Sequence, residues 1–368
     1  MRSRGALVGV AVVAALLGGC RADESSAHPL TWHRLDTPGA VRVTALASGS
    51  PLLVAGQVGT GDAAQPRLWQ LTGNDWLPVP LHPVTYYGAR AALVRVAAHG
   101  GHLVALGRAV GGAHGNPRFS TWSGPSSGVG ETAQAFELFG GPRAIGLNGL
   151  AAGADQDVVV GSWAPGTAPA GVTVWTGDGA TYQRRDTEAG LRSSASDQTS
   201  ASAIAARGPG FVVAGTTTHL GGGRITLHAT AFWTTARGAP WRRELLPSSG
   251  SEGGDSSALG VACAAVVCTV AGVDDGRLAI WRVADDGRAE RVDLGRHAPR
   301  LSSSDVVVSV AADGDSAWVL AAGQLLRLRD GDVQAFGAPS GTGVALATSG
   351  SLLFAVTSNG EMQAATAP

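Results

Sequence analysis

The sequence contains no lysine, so every basic side chain other than histidine is an arginine. Charged residues make up only 15% of its 368 residues, and the formal net charge is -1. This balance excludes a general electrostatic attraction to nucleic acid or to anionic lipid. Hydrophobic residues account for 44% of the chain, which excludes an intrinsically disordered protein.

The motifs of familiar catalytic and metal sites are also missing. There is no HExxH motif, no Cys/His cluster and no repeated acidic calcium loop, and the nine histidines are scattered. The glycine-rich stretches 56–61 and 221–223 do not open helices, so we interpret them as long flexible loops rather than nucleotide-binding loops. We therefore expect no cofactor, no metal ion and no nucleic-acid partner.

The first twenty residues have the pattern of an export signal. Arg2 and Arg4 precede the apolar stretch 6–17, which is too short to span a bilayer. The run that ends in Cys20, Leu-Gly-Gly-Cys, resembles the lipobox of bacterial lipoproteins. The resemblance implies lipidation of Cys20, removal of residues 1–19 and anchoring on the extracytoplasmic side of the cell membrane. The alternative is an ordinary secretory signal with an incidental cysteine.

A unit of roughly fifty residues recurs through the rest of the chain, a period typical of propellers and solenoids. In each unit an apolar strand and a tight turn precede a second strand that ends in a small residue. These end markers are Gly56, Gly107, Gly161, Gly215, Gly272, Ala321 and Thr357. A third strand carries Trp69, Trp122, Trp175, Trp233, Trp281, Leu326 or Met362, and a fourth strand completes the unit. The sequence therefore predicts an all-β fold, a seven-bladed β-propeller of four-stranded antiparallel blades.

The two ends of the repeat array predict how the ring closes. The last unit, 343–368, has room for only three strands, whereas the segment 31–35 resembles a fourth strand. We predict that this N-terminal strand completes the last blade, which removes the free sheet edges of an open array. The predicted organisation is a signal peptide at 1–19, a tether at 20–30 and a propeller at 31–368. The alternative is an open β-solenoid.

The other two of the three cysteines, Cys263 and Cys268, flank the first turn of the fifth unit. This position places them opposite one another on adjacent strands. An exported chain reaches an oxidising compartment, so we predict a disulfide between them. No further cysteine or histidine lies at metal-ligand spacing, which argues against the alternative of a metal pair.

Three turns between third and fourth strands resemble the Asp-box hairpins of sialidase-like propellers: 174–185, 280–292 and 326–336. The resemblance implies the propeller fold, with these hairpins on the side away from the binding face. Sialidase activity would also require an arginine triad, a tyrosine–glutamate pair and an acidic aspartate. Arg90 and Arg143 precede innermost strands and Tyr86 and Tyr87 lie nearby, but neither acidic residue can be matched. We expect no intrinsic catalysis, and a glycan-active hydrolase is kept as an alternative.

Loop lengths predict which face of the propeller binds a ligand. The loops between second and third strands and the connections between blades emerge on one face, and here these are the long ones. Long loops on a rigid scaffold are where binding usually resides. The segments 57–66, 108–117, 162–171 and 216–224 are the predicted long loops. The candidate ligand-binding residues on this face are Tyr86, Tyr87, Arg90, His114, Arg143, Trp163, Arg192, His219, Arg224 and Arg300.

These features together predict a lipid-anchored, extracytoplasmic propeller that binds a protein or a glycan at the cell envelope. Its partners would be the membrane, through the lipid on Cys20, and an envelope protein or glycan that the sequence does not identify. Besides the hydrolase, an assembly scaffold that uses the blade rims is an alternative.

Overall fold

The computed structural model describes residues 27–39, 41–111, 117–166, 168–250, 254–264, 267–301 and 307–368. The predicted signal peptide, the lipidation site Cys20 and most of the predicted tether lie outside these residues. The described residues form an almost entirely β structure with seven sheets.

Each sheet is one blade, and blade 7 combines the N-terminal strand β1 (His33–Leu35) with three C-terminal strands. The remaining strands follow in chain order. Blade 1 contains β2 (Arg42–Ala47), β3 (Leu52–Val58), β4 (Gln65–Thr72) and β5 (Asp75–Pro78). Blade 2 contains β6 (Leu81–His82), β7 (Ala92–His99), β8 (His102–Val110), β9 (Pro117–Pro125) and β10 (Val129–Thr132). Blade 3 contains β11 (Ala144–Ala152), β12 (Asp157–Trp163), β13 (Gly171–Gly177) and β14 (Tyr182–Arg185).

Blades 4 to 7 complete the ring. Blade 4 contains β15 (Asp197–Arg207), β16 (Gly210–Gly221), β17 (Arg224–Thr234) and β18 (Arg242–Leu245). Blade 5 contains β19 (Ser256–Ala264), β20 (Val267–Asp274), β21 (Arg277–Val283) and β22 (Ala289–Arg291). Blade 6 contains β23 (Val308–Asp313), β24 (Ser316–Ala321), β25 (Gln324–Arg329) and β26 (Asp332–Gly337), and blade 7 adds β27 (Gly343–Ser349), β28 (Leu352–Thr357) and β29 (Met362–Thr366). Short helices occur at α1 (Phe136–Phe139) and, as single 3-10 turns, at Gly61–Ala63, Gly88–Arg90 and Gly295–His297.

The first long strand of each blade is the innermost one. The strands β2, β7, β11, β15, β19, β23 and β27 contact one another in succession, and β27 returns to β2. The apolar core lies between neighbouring blades, because each buried cluster combines side chains of two adjacent sheets. The predicted closure is confirmed: β1 pairs antiparallel with β29, with His33 opposite Ala364 and Leu35 opposite Met362.

Backbone geometry explains why most of the marker positions are glycine. In six of the seven described blades the innermost strand carries a register irregularity beside the marker position, as between Leu147 and Gly149 in blade 3. A Cβ atom on Gly161 would lie 2.1 Å from the carbonyl oxygen of Gly146, so only glycine permits this close approach. Blade 6 shows the converse, since Ala321 replaces the glycine and the register of β23 and β24 is continuous.

These irregularities also join the blades. Thr44 lies at the irregularity of β2, and its hydroxyl donates a hydrogen bond to the carbonyl of Leu93 on the next innermost strand at 2.7 Å. Asn148 on β11 donates in the same way to the carbonyl of Ala201 on β15. Each of these hydrogen bonds joins the innermost strands of two neighbouring blades.

The tryptophans lie on third strands as predicted, but two units differ in register. Trp122, Trp175 and Trp281 face the preceding blade and are fully buried. In blade 4 the equivalent position is held by Phe232, and Trp233, one residue later, packs against blade 5. Because side chains alternate along a strand, a shift of one residue reverses the face. Met362 in blade 7 is reversed in the same way and packs against blade 1.

Two strand boundaries differ from what the sequence pattern indicates. The apolar run 76–81 is typical of a single fourth strand, but β5 ends at Pro78 and Leu81 pairs in parallel with Val129 of blade 2. Pro80 has no N–H group with which to continue the ladder of blade 1. The segment 216–224 was predicted to be a long flexible loop, but β16 and β17 continue through it and Gly221 pairs with Arg224. Gly222 and Gly223 make a tight turn there, with φ of 58° and 72°.

The described end of the predicted tether already contacts the propeller. His28 forms a parallel bridge with Phe336 of blade 6, and its N–H donates to the carbonyl of Ala335 at 2.9 Å. The Trp32 indole N–H then donates to the carbonyl of Gly337 at 2.8 Å. The N-terminal segment therefore ties blade 6 to blade 7 before it forms β1.

The predicted disulfide is confirmed. Cys263 and Cys268 lie opposite one another on β19 and β20 and are joined. Cys268 is fully buried, and the pair packs against the cluster between blades 4 and 5. No helix within the described ranges is long and apolar enough to span a membrane.

Candidate functional site

The loop face is the face of the ring that carries the second-to-third strand hairpins and the connections between blades. Contacts between these two kinds of segment are observed directly. The Gln57 side-chain amide donates to the carbonyl of Arg90 at 3.1 Å, and the N–H of Ala164 donates to the carbonyl of Arg143 at 2.9 Å. Six residues, 59–64, separate the second and third strands of blade 1, and seven, 164–170, separate those of blade 3.

Exposed hydrophobic side chains are concentrated on the loop face. Of the nine large hydrophobic side chains that are exposed among the described residues, two lie on the outer strands β5 and β18, Leu77 and Leu245. The other seven lie in the connections or at the strand ends of the loop face: Val84, Tyr86, Val110, Phe136, Ile145, Ile225 and Val344. A face that carries most of the exposed apolar side chains is a candidate surface for binding a partner.

An aromatic–arginine cluster lies on this face between blades 1 and 3 and consists of Tyr86, Tyr87, Arg90, Arg118 and Phe136. The rings of Tyr86 and Tyr87 meet edge to face at 5.4 Å, and the guanidinium carbon of Arg90 lies 3.9 Å from the centre of the Tyr86 ring. The guanidinium carbon of Arg118 lies 4.1 Å from the centre of the Phe136 ring and 5.6 Å from that of Tyr87. Stacking of this kind holds long arginine side chains in defined positions.

Glu131 on β10 positions the tyrosine segment of this cluster. Its buried carboxylate accepts hydrogen bonds from the N–H groups of Val84 and Thr85 at 2.7 and 2.8 Å, and from the Thr85 hydroxyl at 2.6 Å. A Cβ atom on Gly88 would lie 2.0 Å from this carboxylate, so the following 3-10 turn requires glycine. The segment is thus a rigid part of blade 2, and Tyr86 is presented at 59% exposure.

The structure brings three of the predicted residues together and places the others separately around the ring. Tyr86, Tyr87 and Arg90 share one connection. The exposed Arg143 precedes β11, the exposed Arg192 lies between blades 3 and 4, and Arg300 pairs with Arg277 beside blade 5. Arg90 and Arg143, the two arginines considered for a sialidase triad, therefore lie in different connections between blades. His114 lies outside the described residues.

Trp163 does not lie on the surface, contrary to its expected place in a ligand-binding loop. It ends β12, is only 4% exposed and packs edge to face on Trp175 at 6.3 Å. The guanidinium carbon of Arg184 covers it at 4.0 Å from the ring centre. Its role is therefore in the core between blades 2 and 3.

His219 and Arg224 lie in the extended hairpin of blade 4 instead of in a flexible loop. The Nδ1 atom of His219 lies 2.8 Å from Oδ1 of Asp197 on the neighbouring innermost strand. This hydrogen bond, with a further one from Ser196, lowers the pKa of the Asp197 carboxyl. Arg224 is exposed at the tip of the hairpin.

The opposite face carries short turns whose aspartates shape the backbone. Oδ1 of Asp178 accepts from the N–H groups of Ala180 and Thr181 at 3.0 and 2.9 Å, and Oδ1 of Asp286 accepts from the N–H of Arg288 at 2.9 Å. On the same face His102 lies 3.2 Å from the buried carboxylate of Asp157, whose pKa is raised by burial. Within the described ranges no three His, Cys, Asp or Glu side chains are arranged to hold a metal ion.

Sequence reasoning missed the residues that line the inner part of the loop face, Arg95, Arg108, Arg118, Phe136 and Ile145. One signal was available. Arg95 interrupts the apolar run of the innermost strand β7, where a charged residue has no place in a core. The remaining residues come together only through the pairing of blades 2 and 3.

The fold defines the class of this molecule, a closed seven-bladed β-propeller. It is similar to the β-propeller domain of the Trilobed protease from Pyrococcus furiosus, with a TM-score of 0.52, 9% identity and coverage of 90% of this chain and 94% of that one. That domain is described as having an open velcro topology.

Two other solved structures show the same kind of likeness. The acylaminoacyl peptidase of Pyrococcus horikoshii matches with a TM-score of 0.51 at 9% identity over 86% of this chain, which spans only 49% of that chain. BamB from Moraxella catarrhalis matches with a TM-score of 0.43 at 13% identity over 92% of this chain and 99% of that one. Likeness at these identities shows the fold alone. No protein-family model and no curated protein matches the sequence.

Proposed function

We propose that this chain is a lipid-anchored binding protein of the cell envelope that binds a partner through the loop face of blades 1 to 4. The observation that carries this proposal is the concentration of exposed hydrophobic side chains on that face. A surface that combines exposed aliphatic side chains with tyrosine and arginine favours a protein partner over a glycan, because such residues dominate protein interfaces.

The rigidity of the surface supports the same function. Glu131 fixes the tyrosine segment, and the stacked pairs of Arg90 with Tyr86 and Arg118 with Phe136 order these side chains in advance. Side chains that are ordered before binding lose less conformational entropy when the partner docks. The aromatic–arginine cluster is therefore suited to be the anchor point of the interface.

Site-specific photo-cross-linking in the host envelope tests the proposed surface. A photoreactive phenylalanine analogue at Tyr86, Phe136 or Ile225 should give a discrete adduct with one partner. Leu77 is the matched control, because it is 55% exposed and lies within the outer strand β5. Mass spectrometry of the cross-linked bait peptide identifies the partner as a protein or a glycan. Equal labelling from Leu77 would contradict the assignment of the face.

The lipid anchor is tested separately. A Cys20→Ser variant should lose the lipid and leave the membrane fraction or remain unprocessed. Mass spectrometry of the mature wild-type N-terminus checks the modification directly. An unmodified N-terminal residue other than Cys20 would refute the anchor and leave the proposed binding face unaffected.

A further inference from the structure

A cavity of about 440 Å³ opens on the loop face between blades 2 and 3. It lies beside the innermost strands β7 and β11, and its volume is within the range of about 300–1,000 Å³ that is usual for small-molecule sites. Its side chains are of two kinds only, cationic and apolar. The ones that matter here are Arg95, Arg108, Phe119, Phe136, Phe139 and Ile145.

Arg95 supplies the first cationic group. Its Nε–H donates to the carbonyl of Asn148 on β11 at 3.0 Å, and Nη1 donates to the carbonyl of Val94 at 2.7 Å. These bonds fix the plane of the guanidinium and use only part of its five N–H donors. The Arg95 side chain remains exposed, and desolvation by the surrounding strands lowers its pKa.

Arg108 supplies the second cationic group from β8, the strand that pairs with β7. It lies opposite Ala92 on one side and Phe119 on the other, and its side chain is exposed. Neither arginine forms an ion pair with any carboxylate of the described residues, and no aspartate or glutamate lines the cavity. Two arginines in one cavity repel each other unless an anion lies between them.

The rest of the wall is apolar. Phe119 and Phe139 form its floor with the backbone of 144–147, and the exposed rings and chains of Phe136 and Ile145 form its rim. Phe136 and Phe139 also line a smaller cavity of about 180 Å³ that leads to Arg118 and Tyr87. A ligand in this site would contact arginine at one end and aromatic carbon along its body.

We infer that this cavity binds a small organic anion whose carboxylate or phosphate group contacts Arg95 and Arg108 and whose apolar body packs against Phe136 and Ile145. Charge-assisted hydrogen bonds from two guanidinium groups select the anionic head, and burial of the apolar body adds affinity. This site goes beyond the proposed partner surface, because it requires neither the lipid anchor nor a protein partner.

Calorimetric titration of the purified chain tests the inference with matched probes. Phenyl phosphate and 3-phenylpropionate carry the two anionic heads, 3-phenylpropionamide is the uncharged counterpart of the second, and inorganic phosphate has no apolar body. We expect at least one aromatic anion to bind, and the amide and inorganic phosphate to bind at least about tenfold more weakly.

Variants assign the binding to the cavity. Arg95→Gln and Arg108→Gln should each weaken the aromatic anion at least about tenfold, and Phe136→Ala should weaken it as well. Arg277→Gln is the matched control, an exposed arginine at the loop-face end of β21 in blade 5, and should bind as the wild type does. If Arg95→Gln fails to fold, the titration of the Arg108→Gln variant, in which an exposed side chain is changed, decides the test.

Three results would overturn the inference. The first is binding of the amide as tightly as the carboxylate, which would show a purely apolar site. The second is unchanged affinity in both arginine variants or an equal loss in Arg277→Gln. The third is no measurable binding of either aromatic anion at millimolar concentration. None of these results bears on the cross-linking from Tyr86, which does not use the cavity.

Discussion

Blades 1 to 4 and blades 5 to 7 share one strand topology but differ on the loop face. Blades 5 and 6 join their second and third strands by two residues with positive φ, Asp275 with Gly276 and Ala322 with Gly323. Blades 1 and 3 use longer loops, and blade 4 makes an equally tight turn at the end of strands of 12 and 11 residues. The seven sheets therefore share one construction, and the blades differ in the hairpins that extend from the sheets on the loop face.

The two groups of blades contribute different things: blades 1 to 4 carry the exposed apolar surface, and blades 5 to 7 carry the contacts that close the ring. Six of the seven exposed hydrophobic side chains of the loop face belong to blades 1 to 4 or their connections. The devices that close and brace the ring lie in blades 5 to 7: the disulfide, the pairing of β1 with β29 and the bond from Trp32 to Gly337. We expect changes in the second group to affect stability and changes in the first to affect binding.

Removal of the closing strand should have the largest effect. Deletion of residues 31–36 exposes the edge of β29 and removes the contacts of Trp32 and Leu35 with two core clusters. We expect insoluble protein or a fall in Tm of at least about 10 °C, since each kcal/mol lost lowers Tm by roughly 2–4 °C in domains of 150–250 residues. Thermal unfolding measures this. The control is His33→Ala with Arg34→Ala, which truncates two exposed side chains of β1 and keeps its backbone pairing.

A deletion variant that stays monomeric with an unchanged Tm would show that the ring does not depend on β1. Blade 7 would then be stable with three strands, and the assignment of ring closure to blades 5 to 7 would lose its main support.

The marker position offers a second test, in which substitutions in blade 3 and blade 6 are compared. Gly161→Ala places a methyl group against the carbonyl of Gly146, and we expect an overpacking cost of about 1–3 kcal/mol. Ala321→Gly, at the position where blade 6 has continuous register, should cost only about 0.5–1 kcal/mol through backbone entropy. Urea unfolding of both variants measures the two costs. Equal costs would mean that the irregularity of β11 does not require glycine.

The disulfide should contribute less than the closing strand. Its loop is short, so the chain-entropy estimate is about 2 kcal/mol. The double variant Cys263→Ala, Cys268→Ala should fold, melt earlier and no longer respond to reductant, whereas wild-type protein with reductant should match it. The photo-cross-link from Tyr86 should persist in this variant. Loss of that cross-link would show that blade 5 and the loop face are coupled.

The sequence predicted the parts of the fold that depend on local pattern. The seven units, the closing strand and the opposition of Cys263 to Cys268 all follow from alternating apolar residues and turn residues that act over a few positions. Register was harder to predict. The pattern does not show that Phe232 takes the place that tryptophan holds in blades 2, 3 and 5, because both Phe232 and Trp233 are buried, each against a different blade.

The candidate site could be predicted only as a face. Tyr86, Tyr87 and Arg90 were found because they lie close together in one connection. The cavity of Arg95 and Arg108 was missed because its walls come from four strands and a short helix of two blades. The extended hairpin of blade 4 was missed because its three glycines suggest flexibility, whereas pairing of Thr218 with Leu227 and of His219 with Thr226 continues the sheet to the turn.

The smallest expected effect concerns the pair of His219 and Asp197 near the tip of that hairpin. The hydrogen bond from His219 lowers the pKa of Asp197 below its usual value of 3.8, so between the two pKa values the unfolded chain binds more protons than the folded one. The pair therefore stabilises the protein fully above pH 3.8, and its contribution is lost as the pH falls through the lowered pKa of Asp197. Both side chains are more than a third exposed, so solvent screening limits the contribution of the pair to the free energy of unfolding to under about 1 kcal/mol.

Urea unfolding of His219→Ala and of Asp197→Asn at pH 6 should show the same small loss of unfolding free energy, and the double variant should lose no more than either single variant. A loss in His219→Ala that stays constant down to pH 3 would show that His219 stabilises the hairpin through packing, and the extension of blade 4 would then be held by its sheet alone.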